Sequence, residues 1–83
     1  NDINPTRKIH VLIIPKEHYA SFDVIPSQIM AEMTKFIQKV AAILDIKQSG
    51  YRLITNVGDD GGQEVYHLHF HIIGGEPVGR LVR

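Results

Sequence analysis

The 83-residue sequence has no cysteine and no tryptophan. Without cysteine, neither disulfides nor thiolate zinc sites can staple so small a domain. Net charge is missing too, nine Lys and Arg balancing nine Asp and Glu. Non-specific nucleic-acid binding depends on neutralising phosphates with basic side chains, so no nucleic-acid partner is expected. No apolar run approaches the ~20 residues of a membrane span, and no signal-peptide pattern is present. The expectation is a cytoplasmic chain without a membrane partner. At this length the chain should form one domain, residues 1–83, burying little more than ~60% of its unfolded surface. Pairing with a second copy is the remaining route to a larger buried surface, so a homodimer is expected. The opening Asn1-Asp2-Ile3-Asn4-Pro5 carries no initiator Met, which suggests a chain lacking its leading segment.

What the sequence does have is histidine, concentrated in Tyr66-His67-Leu68-His69-Phe70-His71-Ile72-Ile73. On a strand, successive side chains face opposite ways, which would put His67, His69 and His71 in one row. Their Cα atoms would be about 6.5–7 Å apart, from about 3.3 Å per residue. Tyr66, Leu68, Phe70 and Ile72 would then face the core. Three aligned imidazoles, each able to gain or lose a proton near neutral pH, mark a site. The other two histidines, His10 and His18, read singly as ordinary hydrogen-bonded residues.

The rest of the chain supplies a frame for that row. Ile9 to Ile14 is β-branched and apolar, a buried strand ending at Pro15, with His10 pointing the same way as Leu12 and Ile14. Lys16 to Pro26 connects it to a helix over Ser27 to Ile46. There Ile29, Met33, Phe36, Ile37, Val40, Ala41 and Leu44 recur at steps of three and four, with Met30 and Ile43 widening the stripe. Pro26 suits the entrance, Ser27 a cap and Gly50 the exit. Tyr51 to Val57 reads as a second strand and Glu64 to Ile73 as a third, joined through Gly58-Asp59-Asp60-Gly61-Gly62. A strand, a helix and an antiparallel pair predict an α+β fold, one long helix packed on an antiparallel sheet.

Two chemistries suit a histidine row. Zinc accepts a His-x-His pair, but His67 and His71 are too far apart on a straight strand to meet at one ion with Zn–N near ~2.0–2.1 Å. His10 from the neighbouring strand, or a bend, would have to help. Nucleophilic catalysis needs less: a neutral imidazole attacks phosphorus, and the phospho-imidazole hydrolyses readily. A neighbouring histidine then serves as proton donor or phosphate partner. The glycine-rich segment taken alone reads as a hairpin turn, but placed directly before three aligned histidines it reads as a nest of backbone N–H groups for an anion, with Asn56 and Gln63 as flanking neutral donors.

These residues also resemble a known family. His67-Leu68-His69-Phe70-His71-Ile72-Ile73 is similar to the signature of the histidine triad (HIT) superfamily of nucleotide hydrolases and transferases. Asp2-Ile3-Asn4-Pro5, the stretch His10 to His18, Gly50-Tyr51-Arg52-Leu53, Asn56, Gly61 to Tyr66 and Gly74-Gly75 all resemble its Hint branch, so the likeness covers essentially the whole chain. Family members usually carry further residues before Asp2 that wall the base pocket, which again suggests an N-terminally truncated domain. Glu64 stands where some members have a serine that helps the leaving group.

The resemblance implies a HIT-like antiparallel sheet with one long helix, dimerising through sheet and helix. It implies a purine nucleoside phosphoramidase acting also on aminoacyl-adenylates, with no cofactor and no metal. His69 would be the nucleophile, His71 would contact phosphate and help protonate the leaving amine, His67 would orient His69, and His10 would support the row. Asn56 and the backbone of Gly62, Gln63, Glu64 and Val65 would hold phosphate, while Asp2 and Ile3 would meet the ribose. A nucleotide-binding scaffold with little turnover and a metal-dependent hydrolase are the rival readings.

Overall fold

A computed structural model describes residues 8–78. Three strands form one antiparallel sheet: β1 (Ile9–Ile13), β2 (Tyr51–Ile54) and β3 (Phe70–Gly74), in the order β1-β3-β2. The helix α1 (Ser27–Ile43) lies between β1 and β2 in the chain, after a 3-10 turn at Phe22–Val24. This is the α+β architecture that the hydrophobic periodicity predicts, with the histidine strand in the centre.

Burial on β3 alternates strictly, with Phe70, Ile72 and Gly74 inside. Directly opposed residues of antiparallel strands share a face. Val11 opposes Ile72 and Ile13 opposes Phe70, so Ile9, Val11 and Ile13 form the core side of β1. The expectation for His10 is thereby corrected. Its face-mates Leu12 and Ile14 are 52% and 51% exposed, and the three look out from the open side of the sheet. An all-apolar strand carries no alternation from which its inner face could be chosen.

On α1 the buried residues are Met33, Ile37 and Ala41, one per turn, joined in the core to Ile13, Ile46, Leu68, Phe70 and Ile72. Ile29, Met30, Val40 and Leu44 pack at its margins. The stripe is narrower than the periodicity suggests, since Phe36 is exposed and Ile43 is 72% exposed. The helix ends early for a backbone reason. Asp45 adopts φ 61°, its N–H donates to the Ala42 carbonyl, and the Ile46 N–H reaches back to Ala41. This six-to-one closure is a Schellman motif with Asp where glycine is usual, and it turns Ile46 into the core. At the other end Pro26 is the N-cap and makes no side-chain capping bond, and Ser27 is the first helical residue. Gly50 takes part only in a later turn, donating to Ile46.

β2 and β3 are both shorter than expected. Their last pair toward the loop is Ile54 with His71, so residues 55–69 make a long connection instead of a tight hairpin. Cutting the buried centre of β3 tests the packing. Ile72→Ala should destabilise the domain by about 2–5 kcal/mol, the usual range for truncating a fully buried aliphatic, read from the midpoint of urea unfolding. A loss well under that range would mean Ile72 is not at the packing centre.

Candidate active site

The row of histidines forms, although only His71 belongs to a regular strand. Leu68 is buried like Phe70 and Ile72, while His67, His69 and His71 are half-buried on the other side. Alternation thus extends two residues beyond the ladder. It stops at Tyr66, which is 45% exposed and donates its hydroxyl to an Asp59 carboxylate oxygen at 2.5 Å. That bond, then burial, then the Asp59 charge hold the Tyr66 phenol above its ordinary value.

What holds the irregular stretch is a set of tethers. The Leu68 N–H donates to the Tyr19 carbonyl at 2.7 Å. Gln63 is buried, and its amide nitrogen donates to the carbonyls of Ala20 (2.7 Å) and Val65 (3.1 Å), while its oxygen accepts from the Gly58 N–H (2.9 Å). Gln63 therefore works as an anchor through its side chain. The Thr55 hydroxyl donates to the His69 carbonyl at 2.8 Å.

The glycine loop closes on itself. The N–H groups of Gly61 and Gln63 both donate to the Gly58 carbonyl, and that of Gly62 to Asp59. Glycine is required at 61, where a Cβ would overlap the Val57 carbonyl. The expected nest is corrected accordingly: the amides of Gly61, Gly62 and Gln63 already serve the turn, and those of Glu64 and Val65 lie outside these bonds. Glu64 and Val65 are exposed. Asn56 is exposed as well and borders a cleft of about 760 Å³ with Ile54, Thr55, His10, His71 and Ile73. Asp2 and Ile3 lie outside the described residues.

The imidazoles form two groups in ring contact, His10–His71–His69 and His67–His18, joined where the His69 ring meets the His67 backbone carbonyl. His10 opposes Ile73 and Leu12 opposes His71, so His10 and His71 are diagonal neighbours on the open face. His10 Nε2 and His71 Nδ1 share a hydrogen bond at 2.8 Å. The rings of His71 and His69 meet edge-on with centroids 5.0 Å apart. His69 Nδ1 lies 2.8 Å from the His67 carbonyl oxygen. A carbonyl only accepts, so Nδ1 carries the proton, and in the neutral ring Nε2 is the free lone pair. His67 in turn packs against His18, ring centroids 4.5 Å apart, and its Nε2 is buried without a partner among the described residues. His18 is the member that single-residue reasoning missed. Its sole sequence signal is membership in the stretch His10 to His18 that resembles the family. Among the described residues no three of His, Cys, Asp and Glu converge to hold a metal ion, and no helix is long and apolar enough to cross a membrane.

A helix-backed antiparallel sheet with an imidazole row leading into its central strand defines the class of protein. The chain matches the HIT domain family model over residues 1–78, and it belongs to that family. It is 53% identical over 75 residues to an uncharacterised HIT-like protein of Helicobacter pylori, covering 90% of this chain and 72% of that one. It is 38% identical over 84 residues to the purine nucleoside phosphoramidase of Escherichia coli, covering 98% and 71%. Among solved structures, a HIT family hydrolase from Clostridium thermocellum superposes with a TM-score of 0.81 at 48% identity, covering 99% of this chain and 74% of that one.

Burial first, then the neighbouring His69 and His10, keep the His71 pKa below the ordinary 6.5. The unfolded chain then binds this proton more readily than the folded one. Its contribution to stability is complete above 6.5 and is lost as pH falls below that value toward the folded pKa. In an NMR pH titration the His71 ring signals should show a midpoint below 6.5, moving upward when His69 is replaced by Gln. A midpoint at or above 6.5 in the native protein would contradict the placement of His71 among its neighbours.

Proposed function

We propose that this chain is a hydrolase that cleaves the P–N bond of purine nucleoside phosphoramidates, or the acyl-phosphate bond of aminoacyl-adenylates, through a nucleotidyl-His69 intermediate. One observation carries the reading: the His67 carbonyl holds the proton of His69 on Nδ1, leaving Nε2 as the nucleophilic nitrogen. Family membership and the E. coli relative's name support the substrate class.

In this reading His69 Nε2 attacks the α-phosphorus, forming a new N–P bond as the bond to the leaving amine, or to the acyl oxygen of an aminoacyl-adenylate, breaks. The imidazole becomes positively charged, and its Nδ1–H still points at the His67 carbonyl, a fixed dipole of the right sign. His71 gives the departing nitrogen its proton. His71 does this as an imidazolium, its Nδ1–H donating to His10 Nε2 and its Nε2–H going to the departing nitrogen, which leaves a neutral ring. Water then attacks phosphorus, giving its proton to the now neutral His71, the N–P bond to His69 breaks, and the nucleoside monophosphate leaves. Asn56, beside the cleft, and the amides of Glu64 and Val65 are the candidate phosphate contacts. Asp2 and Ile3 are the candidate ribose contacts.

AMP release from adenosine 5′-phosphoramidate, with and without EDTA, is the direct test. The expected result is release that survives chelator. Binding of AMP without any release would favour the scaffold reading, and loss with EDTA restored by zinc the metal-dependent one. His69→Ala should lower kcat by about three or more orders of magnitude, as removal of a nucleophile does, with circular dichroism and the unfolding midpoint kept. Undiminished turnover by that folded variant would refute the mechanism. His71→Ala should impair substrates with basic, poorly leaving amines most. An equal loss across a series of amines would argue against His71 as the acid.

A further inference from the structure

His69 stands outside the β2–β3 ladder. The last regular pair is Ile54 with His71, so the main chain of His69 has left the register before the nucleophilic residue is reached. Among the described residues no loop backbone N–H takes up the His69 carbonyl; the Thr55 hydroxyl does, at 2.8 Å. Thr55 immediately follows β2 and its hydroxyl stands in for the backbone donor that another rung of sheet would have supplied. His69 is then held at two points, its carbonyl by Thr55 and its Nδ1 by the His67 carbonyl. The first fixes the main chain from which the ring projects, and the second fixes rotation of the ring. The Leu68 N–H to Tyr19 carbonyl bond and the Gln63 contacts restrain the stretch farther up the chain. Thr55 reaches His69 from the residue that follows β2.

We infer that Thr55 is a positioning residue for the reaction, its hydroxyl registering the His69 main chain so that Nε2 meets the α-phosphorus in line. The inference rests on His69 as the nucleophile. Threonine is suited to the task because its β-branched carbon restricts χ1 and keeps the hydroxyl on target, while valine has the same shape and no hydrogen to donate. Misplacing a reacting atom by about 1 Å costs roughly a hundredfold in rate, so one hydrogen bond at this position has leverage on turnover that it lacks elsewhere on the surface.

The test compares wild type, Thr55→Val and Thr55→Ser on adenosine 5′-phosphoramidate, with urea unfolding of each. Thr55→Val should lower kcat roughly ten- to hundredfold while KM changes little, and Thr55→Ser should recover most of the loss. A second readout is independent of turnover: imidazole nitrogen shifts of His69 should report a single Nδ1–H tautomer in wild type and Thr55→Ser, and a mixture in Thr55→Val. Full kcat in Thr55→Val, or Thr55→Ser as slow as Thr55→Val, would overturn the inference. If the wild-type protein itself releases no AMP, the reading of His69 fails, and the tautomer measurement still decides whether Thr55 orders the ring.

Discussion

The central strand has to bury one face against a helix and carry imidazoles on the other. Phe70 and Ile72, with Leu68 just before them, enter the core formed with Met33, Ile37 and Ala41. The odd-numbered histidines are consequently turned outward. β3 has a neighbour on each side, so its register is set twice, against β1 and against β2. A slip by one residue would drive His69 and His71 into the apolar layer and expose Phe70 and Ile72, which burial energetics forbid. Everything on the open face follows from that register: the diagonal contact of His71 with His10, the cleft beside Ile54 and Asn56, and the exposure of Leu12.

A different device places the nucleophilic histidine. Residues 63–69 make no ladder, and the chain is held there by discrete hydrogen bonds from three directions. Tyr19 and Ala20, in the segment after β1, receive the Leu68 amide and the Gln63 side chain. Thr55, after β2, donates its hydroxyl to the His69 carbonyl. The closed glycine loop, braced by Tyr66 and Asp59, supplies the third restraint. Such over-determined irregular backbone can aim a side chain where a straight strand cannot, which is the preorganisation that displacement at phosphorus requires.

The electrostatics of the set point the same way. His71 has two imidazoles beside it, His69 edge-on and His10 through a hydrogen bond, and a proton on either neighbour disfavours one on His71. His71 shows the effect, its pKa lowered by burial and by His69 and His10. A ring that attacks must offer a lone pair and a ring that donates must hold an N–H, and the hydrogen bonds each ring makes decide which nitrogen is which. The His67 carbonyl makes that choice for His69, and the His10 contact bears on His71.

The sequence by itself determined the fold class, the buried half of β3 and the existence of the histidine row. These follow from alternation and helical periodicity, which are local rules legible over a few residues. It also carried the family, since the motifs resembling it run the length of the chain. Tertiary structure decided the rest. Only the pairing of β1 with β3 showed which face of an all-apolar strand was inner, and so which way His10 looked. Chain closure alone brought His18 to His67, Tyr19 to Leu68 and Thr55 to His69. The glycine loop misled for a related reason: its composition permits a nest or a turn, and the buried Gln63 side chain pulled it into a turn that uses its own amides. Contacts between residues distant in sequence depend on where loops close, and no local periodicity encodes that distance.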